Sequence, residues 1–460
     1  MKKRKRAQVS ALEGLEPVQP NVAGIDVSST QAHVCGPGRE DGLERLALFR
    51  TTTNELLALA RWLKQREVES VALESTGVYW IPVAEVLEGQ GIEVLLVDSR
   101  PLRRVPGRKT DFSDAQWIQT LHSYGLLKGC FRPAGEVGQI RSLVRNKGVL
   151  VAEQGDWMRR MQKCLDQMNV RVHHAVADVS GATGMAILRA IVAGERDPRR
   201  LAALRDPRCR KSEEEIAEHL TGHWREDHLF SLGQALRIYD RLGESVEEYS
   251  REIERRLEQI TPAERRGEKA PPPVQKEKAR TLKRRKQTAR RDLLFALAGC
   301  DLTMIDGVGV ETAETVVSEY GLDFSRFATE SEFVSHLRLS PKQAISGGKP
   351  LPQRKHSLTS SRTAKVLRMA AVSLKHSATA LGAYFRRIAS RKGLGVAIFA
   401  CARKLAQLIY RMMRWGQGYV DIGVQAYEER FRAQQIRRIR STAQQLGLVV
   451  VEGGGRGGLR

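Results

Sequence analysis

Residues 22–35 read Val-Ala-Gly-Ile-Asp-Val-Ser-Ser-Thr-Gln-Ala-His-Val-Cys. A short apolar run, Val22–Asp26, ends in an acid, and a second run of β character, His33–Cys35, follows it. A third, Arg45–Thr51, lies beyond Gly36–Gly38 and the Asp41-Gly42 dipeptide, so the three read as strands with hairpin-type connections. The period then changes. Leu56, Leu59, Ala60 and Leu63 recur at helical spacing, which predicts an amphipathic helix from Glu55 to about Arg66 with Asn54 as its cap. Ser70–Glu74 reads as a strand and Tyr79–Glu88 as a helix. Ile92–Asp98 is a nearly continuous apolar strand, the kind that sits inside a sheet covered on both faces.

The predicted order is three strands, then helix, strand, helix, strand, helix. A meander followed by α/β crossovers is the topology of RNase H-like nucleases, an α/β class with a mixed sheet. Working outward, residues 1–20 read as a basic disordered tail with no apolar segment behind Lys2–Arg6, hence not a signal peptide. The α/β domain takes 21–130. Across 131–262, Glu136–Ala177 and Glu213–Ile260 read as long charged helices. Ile216, Leu220, Leu236, Tyr239, Leu242, Val246, Tyr249, Ile253 and Leu257 recur every three or four residues in the second. An ordinary bundle and an antiparallel coiled-coil arm for self-association both satisfy that pattern. A basic segment with Pro271–Pro273 reads as an extended or disordered linker over 263–291. A mainly helical domain follows over 292–425, with a Gly/Ser/Pro-rich break at Leu339–Ser361, and 426–460 form a charged helix to about Leu446 and a Gly-rich tail.

Charge narrows the function. The 460 residues hold 76 Lys and Arg against 53 Asp and Glu, a net +23. From Phe333 to Val420 there is no carboxylate and there are 17 basic residues; the segment 351–460 alone carries 21 basic and 4 acidic side chains. A one-signed segment this long cannot pair internally, and phosphate relieves its self-repulsion through counterion release. No apolar run reaches the ~18 residues of a membrane span. The six cysteines, at 35, 130, 164, 209, 300 and 401, are too scattered for a Cys-x-x-Cys zinc site or a disulfide framework. A reducing cytoplasm suits them.

Four carboxylates stand at the edges of predicted elements. Asp26 and Glu74 end strands, while Asp111 and Asp114, spaced i,i+3, share one face at the start of a helix. Singly, each reads as a turn or cap residue; together they would repel unless cations bound between them. Hard divalent ions do this, Mg²⁺ above all with Mn²⁺ as the alternative, and two such ions stabilise the attacking and leaving oxygens of phosphoryl transfer. Asp98 is a competitor, read as a turn residue before Arg100-Pro101.

Two further motifs fall in the basic domain. Ile305-Asp306-Gly307-Val308-Gly309 precedes a predicted helix, Glu311–Tyr320, so that Gly307 and Gly309 would let backbone N–H groups meet a phosphate in a helix-hairpin-helix grip. Ser346 lies in Ala344-Ile345-Ser346-Gly347-Gly348-Lys349, among Lys342, Lys349, Arg354 and Lys355, where positive charge would stabilise an alkoxide or a transferred phosphate. Ser357, Ser360 and Ser361 are rivals. Thr359–Leu374, with Arg362, Lys365 and Arg368, reads as a basic helix behind the loop.

Gly-Ile-Asp-Val at 24–27, Leu-Glu-Ser-Thr-Gly-Val-Tyr-Trp at 73–80 and Lys-Thr-Asp-Phe-Ser-Asp-Ala at 109–115 resemble the N-terminal DEDD, RuvC-like domain of bacterial insertion-sequence transposases of the 110/1111 family. The family's Val-Asn-Pro is Val97-Asp98-Ser99 here, and Asp306 replaces the proline of its Ile-Pro-Gly-Val-Gly. The resemblance covers about 22–178 and 292–422. It implies Asp26, Glu74, Asp111 and Asp114 as metal ligands and Ser346 as the nucleophile that becomes joined to DNA. It also implies donor and target DNA, a structured bridge RNA that pairs with both, and a homotetramer in which the acids of one protomer meet the serine of another. A Holliday-junction resolvase-like nuclease and a non-catalytic nucleic-acid-binding protein are the rival readings.

Overall fold

The computed structural model describes residues 16–37, 44–75, 77–98, 111–133, 135–273, 287–340, 345–346, 349–350 and 361–450, with the backbone alone at 111–113, 345–346 and 349–350. The chain divides into two compact units, 1–132 and 133–460.

The first unit is a five-stranded mixed sheet. Its strands are β1 (Val22–Val27), β2 (Gln31–Cys35), β3 (Leu46–Arg50), β4 (Ser70–Glu74) and β5 (Glu93–Val97), in the order β3-β2-β1-β4-β5. β2 pairs antiparallel with β1 and β3, while β4 runs parallel to β1 and β5. This is the order expected of an RNase H-like domain. One face carries Ala23, Ile25, Val71 and Leu73, buried under α1 (Thr53–Gln65) and α2 (Trp80–Gly89). Each such Leu or Ile contributes about 2 kcal/mol by leaving water. The other face buries Ala72 and Val97 against Ile118 of α3 (Asp111–Ser123). Asn54 is not the cap of α1. Thr52, extended at φ −80°, ψ 149°, precedes the helix and accepts Leu56 N–H at 2.9 Å, which leaves Asn54 inside the first turn. The tail is ordered near its end, where Gln19 N–H donates to Ser123 O.

In the second unit, α4 (Gly135–Gln167) and α9 (Glu226–Ile260) lie antiparallel: Arg256 Nη1 reaches Gln139 Oε1 at 2.8 Å and Gln154 Nε2 reaches the Tyr239 carbonyl at 3.2 Å. Both helices are shorter than the periodicity predicts. The first ends before Asn169, which is left-handed at φ 57°, and the second is preceded by a separate α8 (Glu213–Leu220). The break has a steric cause. A Cβ on Gly222 would sit 2.3 Å from Val170 Cγ2 and 2.7 Å from the Met168 carbonyl, so the link between α8 and α9 lies directly on the end of α4. Between the long helices, α5 (Val172–Ala175), α6 (Ala182–Val192), α7 (Pro198–Ala202) and α8 build a cap around Met161, Leu165, Leu188, Leu201 and Ile216.

At the other end α4 meets the C-terminal helices, α10 (Thr288–Ala298), α11 (Val310–Tyr320), α12 (Glu330–His336), α13 (Arg362–Ser373), α14 (Ala380–Lys392), α15 (Leu394–Trp415) and α16 (Gly423–Gln445). Tyr320, Phe324, Phe327, Phe333 and Tyr410 stack in their core, and Tyr410 donates to the Phe327 carbonyl at 2.6 Å. The basic segment read as linker is structured at both flanks. Ala263–Arg265 form a 3₁₀ turn, and Arg290 and Arg291 belong to α10, with Arg291 buried on Asp301. All six cysteines are free. Among the described residues no helix is long and apolar enough to cross a membrane.

Candidate active site

The parallel register sets Ile25 of β1 beside Leu73 of β4. Asp26 and Glu74 are therefore neighbours on the next rung, at the C-terminal ends of adjacent strands. Alternation places Asp26 on the same face as Gly24, and Glu74 on the same face as Ala72. That face belongs to α3, since Ala72 is buried with Ile118.

The helix crosses this face at backbone contact. A Cβ on Gly24 would lie 2.3 Å from Gln119 N and 2.4 Å from the Ala115 carbonyl. Further back, Gln119 Nε2 donates to the Val22 carbonyl at 3.4 Å and Gln119 Oε1 accepts from Arg45 Nη2 at 2.7 Å. Residue 119 thus meets the start of β1 and residue 115 its middle. α3 runs opposite to β1, and its first turn, Asp111 to Asp114, comes to the strand ends that carry Asp26 and Glu74. Asp111 is the first helical residue, one turn before Ala115. Glu74 is 8% exposed and Asp26 and Asp114 are half-buried.

Two neighbours are not obvious from the sequence. His33 is the antiparallel partner of Asp26 across β1 and β2, so it shares the carboxylate face. Its only sequence signal was a polar residue inside an apolar run. Asp98 follows Val97, the last residue of β5, which pairs with Glu74. Among the described residues no group of three or more His, Cys, Asp or Glu is arranged to hold a metal ion, and the Asp111 side chain lies outside those residues. Carboxylate oxygens are the donors that suit a hard divalent cation.

Ser346 ends β6 (Ile345–Ser346), which pairs antiparallel with β7 (Lys349–Pro350), so Ser346 and Lys349 are backbone register partners. Lys342, Arg354, Lys355, Ser357 and Ser360 lie outside the described residues. The rival Ser361 is the N-cap of α13 and accepts Ala364 N–H at 3.1 Å. Behind it, Arg362 and Lys365 are exposed on α13. Arg362 Nη1 contacts the Arg145 carbonyl of α4 at 3.4 Å, and Arg368 lies over the Phe399 ring at 5.3 Å.

The hairpin at 305–309 divides its duties. Gly307 has φ 83°, and a Cβ there would sit 2.8 Å from the Ala370 carbonyl, so its glycine serves close docking on α13. Gly309 is exposed and precedes the first turn of α11. Asp306 points inward, accepting from Thr379 at 2.6 Å and from Ser377, and thereby ties the hairpin to the start of α14. An acid here is a structural acceptor, which accounts for its presence beside a backbone expected to meet phosphate.

Comparison with known families is specific at both sites. A transposase family model of the DEDD, IS110 type matches residues 23–170, and a model described as "Transposase IS116/IS110/IS902 family" matches residues 301–386. No curated protein sequence is matched. The first match contains Asp26, Glu74, Asp111 and Asp114, the second contains Ser346, and together they span slightly more than half of the 460 residues. The chain belongs to the IS110 family of transposases.

Proposed function

We propose that this transposase cuts and rejoins DNA at the ends of an insertion element through a covalent phosphoserine on Ser346. The observation that carries the reading is the convergence of Asp26, Glu74 and the first turn of α3 at one end of the sheet. Asp26, Glu74, Asp111 and Asp114 would hold divalent metal, Mg²⁺ first, which supplies positive charge to the scissile phosphate and its leaving oxygen when bound.

The Ser346 hydroxyl attacks phosphorus: a serine O–P bond forms, the P–O bond to one deoxyribose oxygen breaks, and the serine proton leaves with the freed hydroxyl. The reverse reaction, with a hydroxyl from another strand, rejoins DNA without an external energy source, because one phosphodiester replaces another. Lys349, the backbone register partner of Ser346, supplies charge for both steps. The 17 basic residues between 333 and 420 with no carboxylate among them support a polyanionic substrate. A structured bridge RNA that pairs with donor and target, and a homotetramer joining the acids of one protomer to the serine of another, complete the proposal. They rest on the family. In that arrangement pairing supplies sequence choice and the protein reads backbone and shape.

The test incubates wild type, Asp26→Ala and Ser346→Ala with element-end DNA, the RNA encoded beside the element and Mg²⁺, followed by a denaturing gel. Wild type should give a covalent protein–DNA band, lost in both variants. An adduct surviving in Ser346→Ala would remove the nucleophile. Free cleaved ends with no adduct in wild type would make the acids a nuclease that uses water.

A further inference from the structure

The cap at the far end of α4 and α9 carries a cavity of about 900 Å³ whose lining residues lie outside both family matches. Buried Ala175 and Val176 line it together with His173, His174, Arg208, Arg210, Lys211 and the carboxylates Asp178 and Asp206. The cap as a whole is nearly neutral, with 10 basic and 8 acidic residues between 168 and 225. Positive charge is concentrated in 205–211, which holds Arg205, Arg208, Arg210 and Lys211 against Asp206, with Arg205 paired to Glu213 at 3.4 Å.

The carboxylates are already committed. Asp206 takes Arg208 in a two-pronged contact at 2.7 and 2.6 Å. Asp178 accepts from the Ser180 amide and hydroxyl, and Asp166 takes Arg171 and His173 at 3.4 and 3.3 Å. Arg210 is exposed and makes no ion pair or hydrogen bond among the described residues. Lys211 donates to the His174 carbonyl at 2.5 Å and contacts His219 Nε2 at 3.2 Å, and neither partner is a carboxylate. An ammonium has three donors, so one remains for an anion. The His173 and His174 rings, 4.3 Å apart, lie exposed beside these cations. His174 is held below the ordinary histidine pKa, first by His173 and then by burial, His219, Arg171 and Lys211, as a positive local field requires.

We propose that this pocket is a second nucleic-acid contact, in which Arg210 and Lys211 bind a backbone phosphate and the His173–His174 pair meets an adjacent base. Unpaired cations beside exposed rings suit a phosphodiester chain with accessible bases. A metal does not fit, since no group of three or more ligating side chains occurs there. The pocket stands about 33 Å along α4 from Arg145, taking 1.5 Å per residue, so it would extend the footprint well beyond the transposase domain. The inference rests on the reading that the chain works on nucleic acid.

The test uses the full chain with a labelled RNA hairpin and, separately, a duplex DNA of element-end sequence. Ultraviolet crosslinking with peptide mapping is combined with affinity measured from 50 to 300 mM salt. Wild type should crosslink through peptides containing 171–178 or 206–211 as well as through the C-terminal domain. Arg210→Glu with Lys211→Met should lose the first crosslink, keep the second, and flatten the log–log salt slope by about one to two. Arg210→Lys with Lys211→Arg should restore both. Whichever probe gives the arm-tip crosslink identifies the strand as RNA or DNA. Crosslinks confined to the C-terminal domain in wild type, or a reversal variant that binds and crosslinks like wild type, would overturn the arm-tip site alone. No binding of either probe anywhere would overturn the proposed function with it.

Discussion

A methyl group at position 24 has nowhere to go. Its nearest neighbours would be the backbone N of Gln119 and the backbone O of Ala115, which cannot rotate aside as a side chain would. Gly24→Ala must therefore lift α3 from the sheet, at a cost of about 3 kcal/mol, the upper part of the usual overpacking range. Because α3 carries Asp111 and Asp114 of the proposed metal site, strand cleavage should fall along with stability. Urea unfolding followed by circular dichroism, with DNA cleavage in parallel, checks both; an unchanged midpoint would show that the helix tolerates displacement. Two turns further along the same helix, His122 is bonded to Ser70 at 3.0 Å and burial pushes its pKa below the ordinary value. The unfolded chain takes up the proton first. Stability is thus full above the unfolded histidine pKa of about 6.5 and declines as pH falls below it toward the lowered folded value. His122→Gln should flatten this part of the profile, measured as urea midpoints at pH 7.5 and 5.5 in both proteins. Parallel profiles would exclude His122 as the source.

The strands were legible because each is a compact apolar run ending at a polar or glycine residue, and Ser70–Glu74 is reproduced to the residue. Helix ends were less so. Spacing alone could not reveal that Gly222 must touch the end of α4, a contact between residues more than fifty positions apart. The same limit hid the anchor of the helical arm. Glu319 of α11 binds Arg141 at 2.9 Å and Arg145 at 2.7 Å, Lys147 is paired with Glu314, and Arg290 bridges Glu314 and Glu254. In sequence these are ordinary helical charges; only packing shows that Glu314 is 2% exposed. Burial alone would raise the Glu319 carboxyl, but Arg145 and Arg141 outweigh it and hold the group below the ordinary range. Its contribution is therefore present above a pH of about 4.5 and lost as pH falls toward the folded value. Removing the charge leaves two arginines partly buried without their partner, so Glu319→Gln should cost about 3 kcal/mol at pH 7. The loss should shrink at pH 4. Urea titrations at the two pH values decide it, and a cost below about 0.5 kcal/mol at pH 7, the level of an exposed pair, would mean that the arm is held by apolar contacts instead.

Across the chain, the carboxylate and serine positions were visible as motifs, whereas their surroundings required three dimensions. His33 became a neighbour of Asp26 only through strand pairing. Asp306, unexpected beside phosphate, turned out to face Ser377 and Thr379. Charge was legible from composition, and the fold determines which of it is already held in ion pairs. Arg291, Arg290 and Arg411 are spent on Asp301, Glu254 and Glu330. On α16, Arg437, Arg438 and Arg440 are exposed, and that helix buries no residue. Its attachment lies earlier, where Arg387 of α14 stands over Phe431 at 3.6 Å and over Tyr427 at 4.8 Å. The three arginines can thus be altered without disturbing that contact. Changing all three to Gln should reduce the slope of log affinity against log salt by up to about 2.7 for duplex DNA, near 0.9 for each phosphate released. Affinity at 100 mM salt should fall while the far-ultraviolet spectrum and melting temperature stay the same. Anisotropy titrations of a duplex probe between 50 and 300 mM salt measure the slope directly. An unchanged slope would place the end of α16 off the DNA and leave the carboxylate-free stretch from 333 to 420 as the source of the counterion release.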